Sequence, residues 1–213
     1  MQPFDMGRAF SYGWTKFQQN VGPLILVELV AFVGSIIAFI ITSVIRNSLS
    51  GGLVGLLLVS AITQILIWII TTFLAIGLYR AALAVTAGQS FTVGGVFSTE
   101  NIGPYMIGAV IYGVMVGVGT LFCIIPGIVL AFFGFFWPYY VLDQQQDAVT
   151  AIKSSFTLVN ANMGQMIPFA IVAFLVYVVG FVACGVGVLV TAPIALLAIA
   201  FAYRTLNNQP VAP

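Results

Sequence analysis

Six long apolar runs dominate the chain, and their length constrains the fold more than any other feature. They cover roughly Gly22 to Ile45, Leu53 to Tyr79, Gly103 to Phe122, Ile124 to Leu142, Ile167 to Ala183 and Gly187 to Tyr203. A hydrocarbon core about 30 Å thick takes about 20 apolar residues as a helix, because each backbone polar group must be paired inside the segment. A transmembrane barrel is also apolar outside, but its strands alternate polar and apolar residues. Leu24-Ile25-Leu26-Val27 and Val129-Leu130-Ala131-Phe132-Phe133 do not alternate, so helices are expected.

Charge agrees with this reading. Six basic and five acidic residues make 5% of the 213-residue chain, where a soluble domain carries about a quarter. The sequence has no histidine and two cysteines, which removes imidazole metal sites, Ser/His/Asp triads and thiolate clusters. No GxxxxGK[ST] loop for a nucleotide phosphate is present. The net charge of +1, with no basic cluster, gives no footprint for nucleic acid. Neither a metal nor a cofactor is expected, and membrane lipid is the expected surrounding partner.

The first apolar run begins at Gly22 and outlasts the core of a signal peptide, so it is expected to remain as a span. Arg8, Lys16, Arg80, Lys153 and Arg204 fall on the side of the N-terminus, and Arg46 falls on the other. The positive-inside rule then places both termini in the cytoplasm of a multi-pass protein in the cytoplasmic (inner) membrane. The outward connections are expected to be short, without an extracytoplasmic domain.

A threefold repeat is legible before the odd-numbered spans. Asn20-Val21-Gly22-Pro23, Asn101-Ile102-Gly103-Pro104 and Asn162-Met163-Gly164, with Pro168 following, each lead into a span. Helix starts are expected upstream at Asp5, Thr92 and Asp147. Met6, Phe10, Trp14, Phe17 and Val21 recur at helical spacing, as do Val149, Ile152, Phe156, Val159 and Met163, which fits helices lying in the headgroup layer. The expectation is an all-α membrane protein: one domain, 1–213, holding a six-helix bundle of three parallel hairpin units, about 1–88, 89–145 and 146–213. Each unit begins with an interfacial helix. Chance similarity of N-x-G in a glycine-rich chain is the competing explanation. Trp14, Lys16, Tyr79, Arg80, Tyr139, Tyr140, Lys153, Tyr203 and Arg204 are the expected interfacial anchors.

Phe10-Ser11-Tyr12-Gly13-Trp14 with Asn20, Ile125-Pro126-Gly127-Ile128, Pro138-Tyr139 with Asp143, and Ala151 to Ser155 with Asn162 form a pattern across the chain. Gly185, Gly187, Pro193 and Tyr203 extend it. In these motifs the chain resembles the YciC-like and DUF975-like bacterial integral membrane proteins and the membrane domain attached to some glycerophosphodiester phosphodiesterases. The resemblance implies a six-helix bundle and no agreed activity. The phosphodiesterase activity of some relatives does not carry over, because the acids and histidines of that catalytic domain are missing here.

Glu28 is the one acid inside an expected span. Such a carboxylate is a functional suspect at membrane depth: it either serves a proton or cation site, joined by Gln64, Thr63, Thr71 or Thr72, or snorkels to the interface. Cys123 and Cys184 are expected at the outer ends of two spans, where a disulfide is one reading and two separate packing residues the other. Asp143 and Asp147 fit either a weak divalent-ion pair or a helix cap in a solvated turn. Gly113 with Gly117 suggests a close helix seam. Pro138 and Pro193 are expected to kink the fourth and sixth spans. The aromatic run from Phe132 to Tyr140 suggests either an acyl-chain groove or lipid-facing bulk.

The expected role is therefore non-enzymatic. The protein would organise lipids, a membrane-protein partner or further copies of itself. The alternative is a small transporter or channel for an ion or amphipathic solute that uses Glu28.

Overall fold

The structure is a computed structural model that describes residues 4–49, 52–182 and 187–213. Among them every regular element is a helix. In chain order these are α1 (Met6–Gln19), α2 (Val21–Leu49), α3 (Gly52–Thr86), α4 (Val93–Val96), α5 (Ile102–Phe122), α6 (Ile124–Phe133), α7 (Trp137–Gln144), α8 (Ala148–Ala161), α9 (Met163–Val182) and α10 (Val188–Leu206). Six segments are long and apolar enough to cross a membrane: α2, α3, α5, the α6–α7 pair, α9 and α10.

Local chemistry starts three helices where the sequence places caps. Asp5 accepts from the Gly7 and Arg8 amides, Thr92 from Gly95, and Asp147 from Val149 and Thr150. Each cap satisfies amides that have no partner within the helix. The helix after Thr92 lasts four residues, against fourteen in α1 and in α8.

The sequential pairs α2/α3, α5/α6 and α9/α10 pack together, and α10 also touches α1, α2 and α3. α10 is the hub. From Ala192 to Ala200 it is buried without interruption, and small Ala side chains let its neighbours approach. Outward, α2, α3, α5, α6 and α9 present Ile, Leu, Val and Phe side chains. So wide an apolar exterior suits a lipid solvent.

Two expected stripes differ from those that pack. α1 buries Ala9, Gly13 and Phe17, whereas Trp14 is 49% exposed and Val21 is also exposed. A Cβ at Gly13 would lie 2.6 Å from the Ile194 carbonyl oxygen and 3.3 Å from the Ala198 nitrogen. α1 is thus clamped backbone to backbone on α10, and its bulkiest aromatic stays outside. α8 buries Ala148, Ala151, Ile152, Ser155 and Val159, leaving Val149 exposed. The expected Gly113/Gly117 seam is open: Gly113 has only Trp68 at 4.0 Å and Gly117 has nothing within 4 Å.

The fourth span is broken at Gly134–Phe136, between α6 and α7, upstream of Pro138. Pro138 lacks the amide that would bond the Gly134 carbonyl four residues earlier, so the disruption falls before the proline. α10 runs through Pro193 as one helix.

Candidate functional site

Glu28 lies in α2 and is 6% exposed, and its Oε2 has no hydrogen-bond partner among the described residues. Tyr177 on α9 is its electrostatic neighbour. Gln64 is exposed on α3, so the expected pairing of Glu28 with Gln64 sets a buried acid against an outward amide. Thr63 and Thr71 donate to carbonyls of their own helix, Thr63 to Val59 and Ser60 and Thr71 to Ile67 and Trp68.

At the end of the bundle where α3, α7 and α10 meet, Arg204 forms a salt bridge with Asp143 at 3.0 Å. Asp143 Oδ2 also accepts from the Tyr203 hydroxyl (3.2 Å) and Gln209 Nε2 (3.1 Å). Arg204 Nε donates to Thr86 Oγ1 at 3.0 Å, tying α10 to α3. Tyr139 stacks on Tyr203 with ring centroids 5.4 Å apart and donates to the Leu196 carbonyl; Tyr140 donates to Asn207. Tyr139, Tyr140, Tyr203 and Arg204 are all buried, Tyr203 at 0% and Arg204 at 8% exposure. These four, expected from the sequence as interfacial anchors, are buried within the bundle. They lie near the ends of apolar spans, and their hydrogen-bond and ring partners belong to the protein.

Arg80 borders the same region. Its guanidinium donates to the carbonyls of Val96, Ser98 and Glu100 and so holds the segment leading into α5. Arg80, Asp143 and Arg204 line a cleft of about 500 Å³ together with Ser98 and Glu100. Asp147 is used separately, as the α8 cap. Among the described residues no group of three or more His, Cys, Asp or Glu could hold a metal ion.

The break in the fourth span is closed by side chains from other helices. Ser155 of α8 is fully buried; its hydroxyl donates to the Phe133 carbonyl (2.9 Å) and accepts from the Phe136 amide (2.9 Å). Tyr112 of α5 donates to the Ala131 carbonyl at 2.8 Å. A Cβ at Gly134 would collide with the Tyr112 ring, so this close crossing requires glycine. Sequence reasoning did not single out Ser155 or Tyr112 as bonding partners. The available signal was Pro138, which ends regular helical pairing in the turn before it, where the Phe133 carbonyl and the Phe136 amide turn to Ser155.

Beside the break, α6 and α9 border an apolar groove of about 570 Å³ lined by Ile128, Phe132, Phe135, Ile167, Ala170 and Phe174. Most of the expected aromatic run divides here: Phe132, Phe133 and Phe135 face the groove, and Phe136, Trp137, Tyr139 and Tyr140 are core.

Of the other expected anchors, Trp14 and Lys153 are exposed, and Lys16 Nζ donates to the Pro213 carbonyl and lies 5.7 Å from the Tyr12 ring centroid. Burial pushes the Tyr12 phenol up to about 12, with the charge of Arg204 acting the other way. Tyr79 is half-buried and meets Tyr139 edge-on at 5.3 Å. Cys123 is exposed between α5 and α6; Cys184, its expected disulfide partner, lies outside the described residues.

Fold and exterior together define a multi-pass, all-helical membrane protein. The chain is similar to an uncharacterised protein of Mycobacterium bovis and to uncharacterised proteins of Mycobacterium tuberculosis, 23% identical over an alignment of 228 residues that covers 98% of this chain and 70% of each relative. No family model matches the chain. No solved structure matches it.

Proposed function

We propose that this is a non-enzymatic protein of the bacterial cytoplasmic membrane, with both termini cytoplasmic, that organises lipid by holding an acyl chain between α6 and α9. The carrying observation is the groove: its walls belong to two membrane-spanning segments, and its lining is aliphatic and aromatic. An occupant at that depth gains by burying hydrocarbon and finds no polar partner in the lining. The charged cleft around Arg80 and Arg204 belongs to the same reading as the site for a membrane-protein partner or a second copy.

The same proposal includes three parallel hairpin units, 1–88, 89–145 and 146–213, supported by the hydrogen-bonded caps at Asp5, Thr92 and Asp147. It also keeps the chain beside the YciC-like and DUF975-like proteins, on the motifs quoted above.

Native mass spectrometry of protein released gently from membranes tests the lipid role. The wild type should retain a phospholipid, and Ala170→Phe, which fills the groove, should lose it while keeping its helical content. A wild type with no retained lipid rejects the reading. A second reading, transport, draws on the buried carboxyl of Glu28. Under that reading Glu28→Gln abolishes ion or solute flux in liposomes, and a wild type without flux across a wide screen rejects it.

A further inference from the structure

We propose that Glu28 is an intramembrane proton-binding site, a buried carboxyl that takes up and releases a proton within the spanning helix α2. The site goes beyond the lipid reading and requires neither that reading nor solute flux.

Three observations converge on it. Glu28 sits in a spanning helix; it is 6% exposed; and Oε2 has no hydrogen-bond partner among the described residues. At Oε2 an ionised carboxylate has lost water and gained no hydrogen bond from the described residues in return. Neutralisation by a proton removes that penalty without moving a helix, and the acid then has a hydroxyl to donate.

The charges on neighbouring elements are committed elsewhere or stand apart. α2 packs against α3, α10, α1 and α4. On α3, Arg80 is bonded to the 96–100 segment; on α10, Arg204 is bonded to Asp143 and Thr86. On α1, Lys16 is bonded to Pro213, and Arg8 lines a surface cleft with Asp5. Among the described residues, the Tyr177 phenol on α9 lies within electrostatic reach of Glu28, and of Tyr79 as well. A phenol offers a dipole and no neutralising charge.

A proton fits this site better than a metal ion. Calcium and magnesium take six or more oxygens, and among the described residues Glu28 belongs to no cluster of three or more acidic, cysteine or histidine side chains. One carboxylate oxygen is sufficient for a proton.

The sequence makes the test clean, because Glu28 and Glu100 are its only glutamates. Protein carrying Glu100→Gln and 13C-carboxyl glutamate has one labelled carboxyl, and infrared difference spectra in proteoliposomes read its state directly. The expected result is a labelled neutral-acid carbonyl band that interconverts with the carboxylate bands in one reversible pH titration. Glu28→Gln in otherwise wild-type protein should lack the unlabelled counterpart of that band and keep its helical circular dichroism. If Glu100→Gln fails to fold, labelled wild type with and without Glu28→Gln gives the same assignment. A labelled group that is carboxylate throughout, or neutral at every pH reached, overturns the proposal. So does a titration displaced by sodium at constant pH, since that would make the ligand a metal cation.

Discussion

Ser155 stands in for the missing turn at Phe133. Its hydroxyl takes the place of a helical amide at the Phe133 carbonyl and, at the same distance of 2.9 Å, serves the Phe136 amide on the far side of the break. One hydroxyl thus closes both ends of an interrupted helix. Ser155→Ala leaves a part-buried carbonyl and a buried amide without this partner, at a cost on the order of 2–4 kcal/mol. Reversible unfolding in detergent should show that loss, whereas Ser154→Ala, which removes a single hydroxyl-to-Gln146 bond, should shift stability by less than about 1 kcal/mol. Equal effects of the two would show that the break does not depend on Ser155.

The α1–α10 contact gives a second prediction. Gly13 lets the α1 backbone lie against the Ile194 carbonyl, and no rotamer relieves a clash between Cβ and backbone. Gly13→Ala should separate the helices and destabilise the protein by about 1–3 kcal/mol, the usual range for overpacking. Gly22→Ala places its methyl where nothing lies within 4 Å, and should be neutral or stabilising by up to about 1 kcal/mol through helix propensity. Limited proteolysis, together with unfolding, distinguishes release of α1 from a general loss of stability.

Asp143 and Arg204 join α7 to α10, and the pair is partly screened from solvent, with side-chain exposures of 18% and 10%. Asp143→Asn keeps the shape and removes the charge, leaving Arg204 with Thr86 and Gln209 as partners. The expected loss is on the order of 2 kcal/mol, between the values for exposed and fully buried pairs. In a double-mutant cycle with Arg204→Gln, most of that loss should appear as coupling. Additive effects would show that the two residues act separately.

These cases mark what could be read from the sequence. Spans and caps were legible because they depend on local patterns: an apolar window, or an Asp or Thr before a helix. Inside and outside were not, because in lipid both faces of a span are apolar. Hydropathy cannot distinguish buried α10 from lipid-facing α3; the Ala residues from Ala192 to Ala202 were the better signal. Tyr139 and Tyr203 sit at span ends, as headgroup anchors do, and only their mutual stacking reveals them as core. Glu28 was legible as an anomaly, but not its isolation from Gln64, which depends on how α2 and α3 face each other.

Asp147 supplies the pH prediction. Its carboxyl is held below the usual carboxylate range by hydrogen bonding from the Thr150 side chain first, then from the Thr150 and Val149 backbone amides. A depressed folded-state value means that the ionised cap stabilises α8 above the unfolded-state value and that this stabilisation is lost as pH falls through the folded one. α8 should therefore loosen at its N-terminus in acid while its remaining turns stay ordered. Amide exchange at Val149 and Thr150, corrected for intrinsic rates, should show protection falling across that acid window. Asp147→Asn preserves a capping side chain without the titration, so its protection should be flat over the same range. An equal acid response in the variant would assign the change to another group.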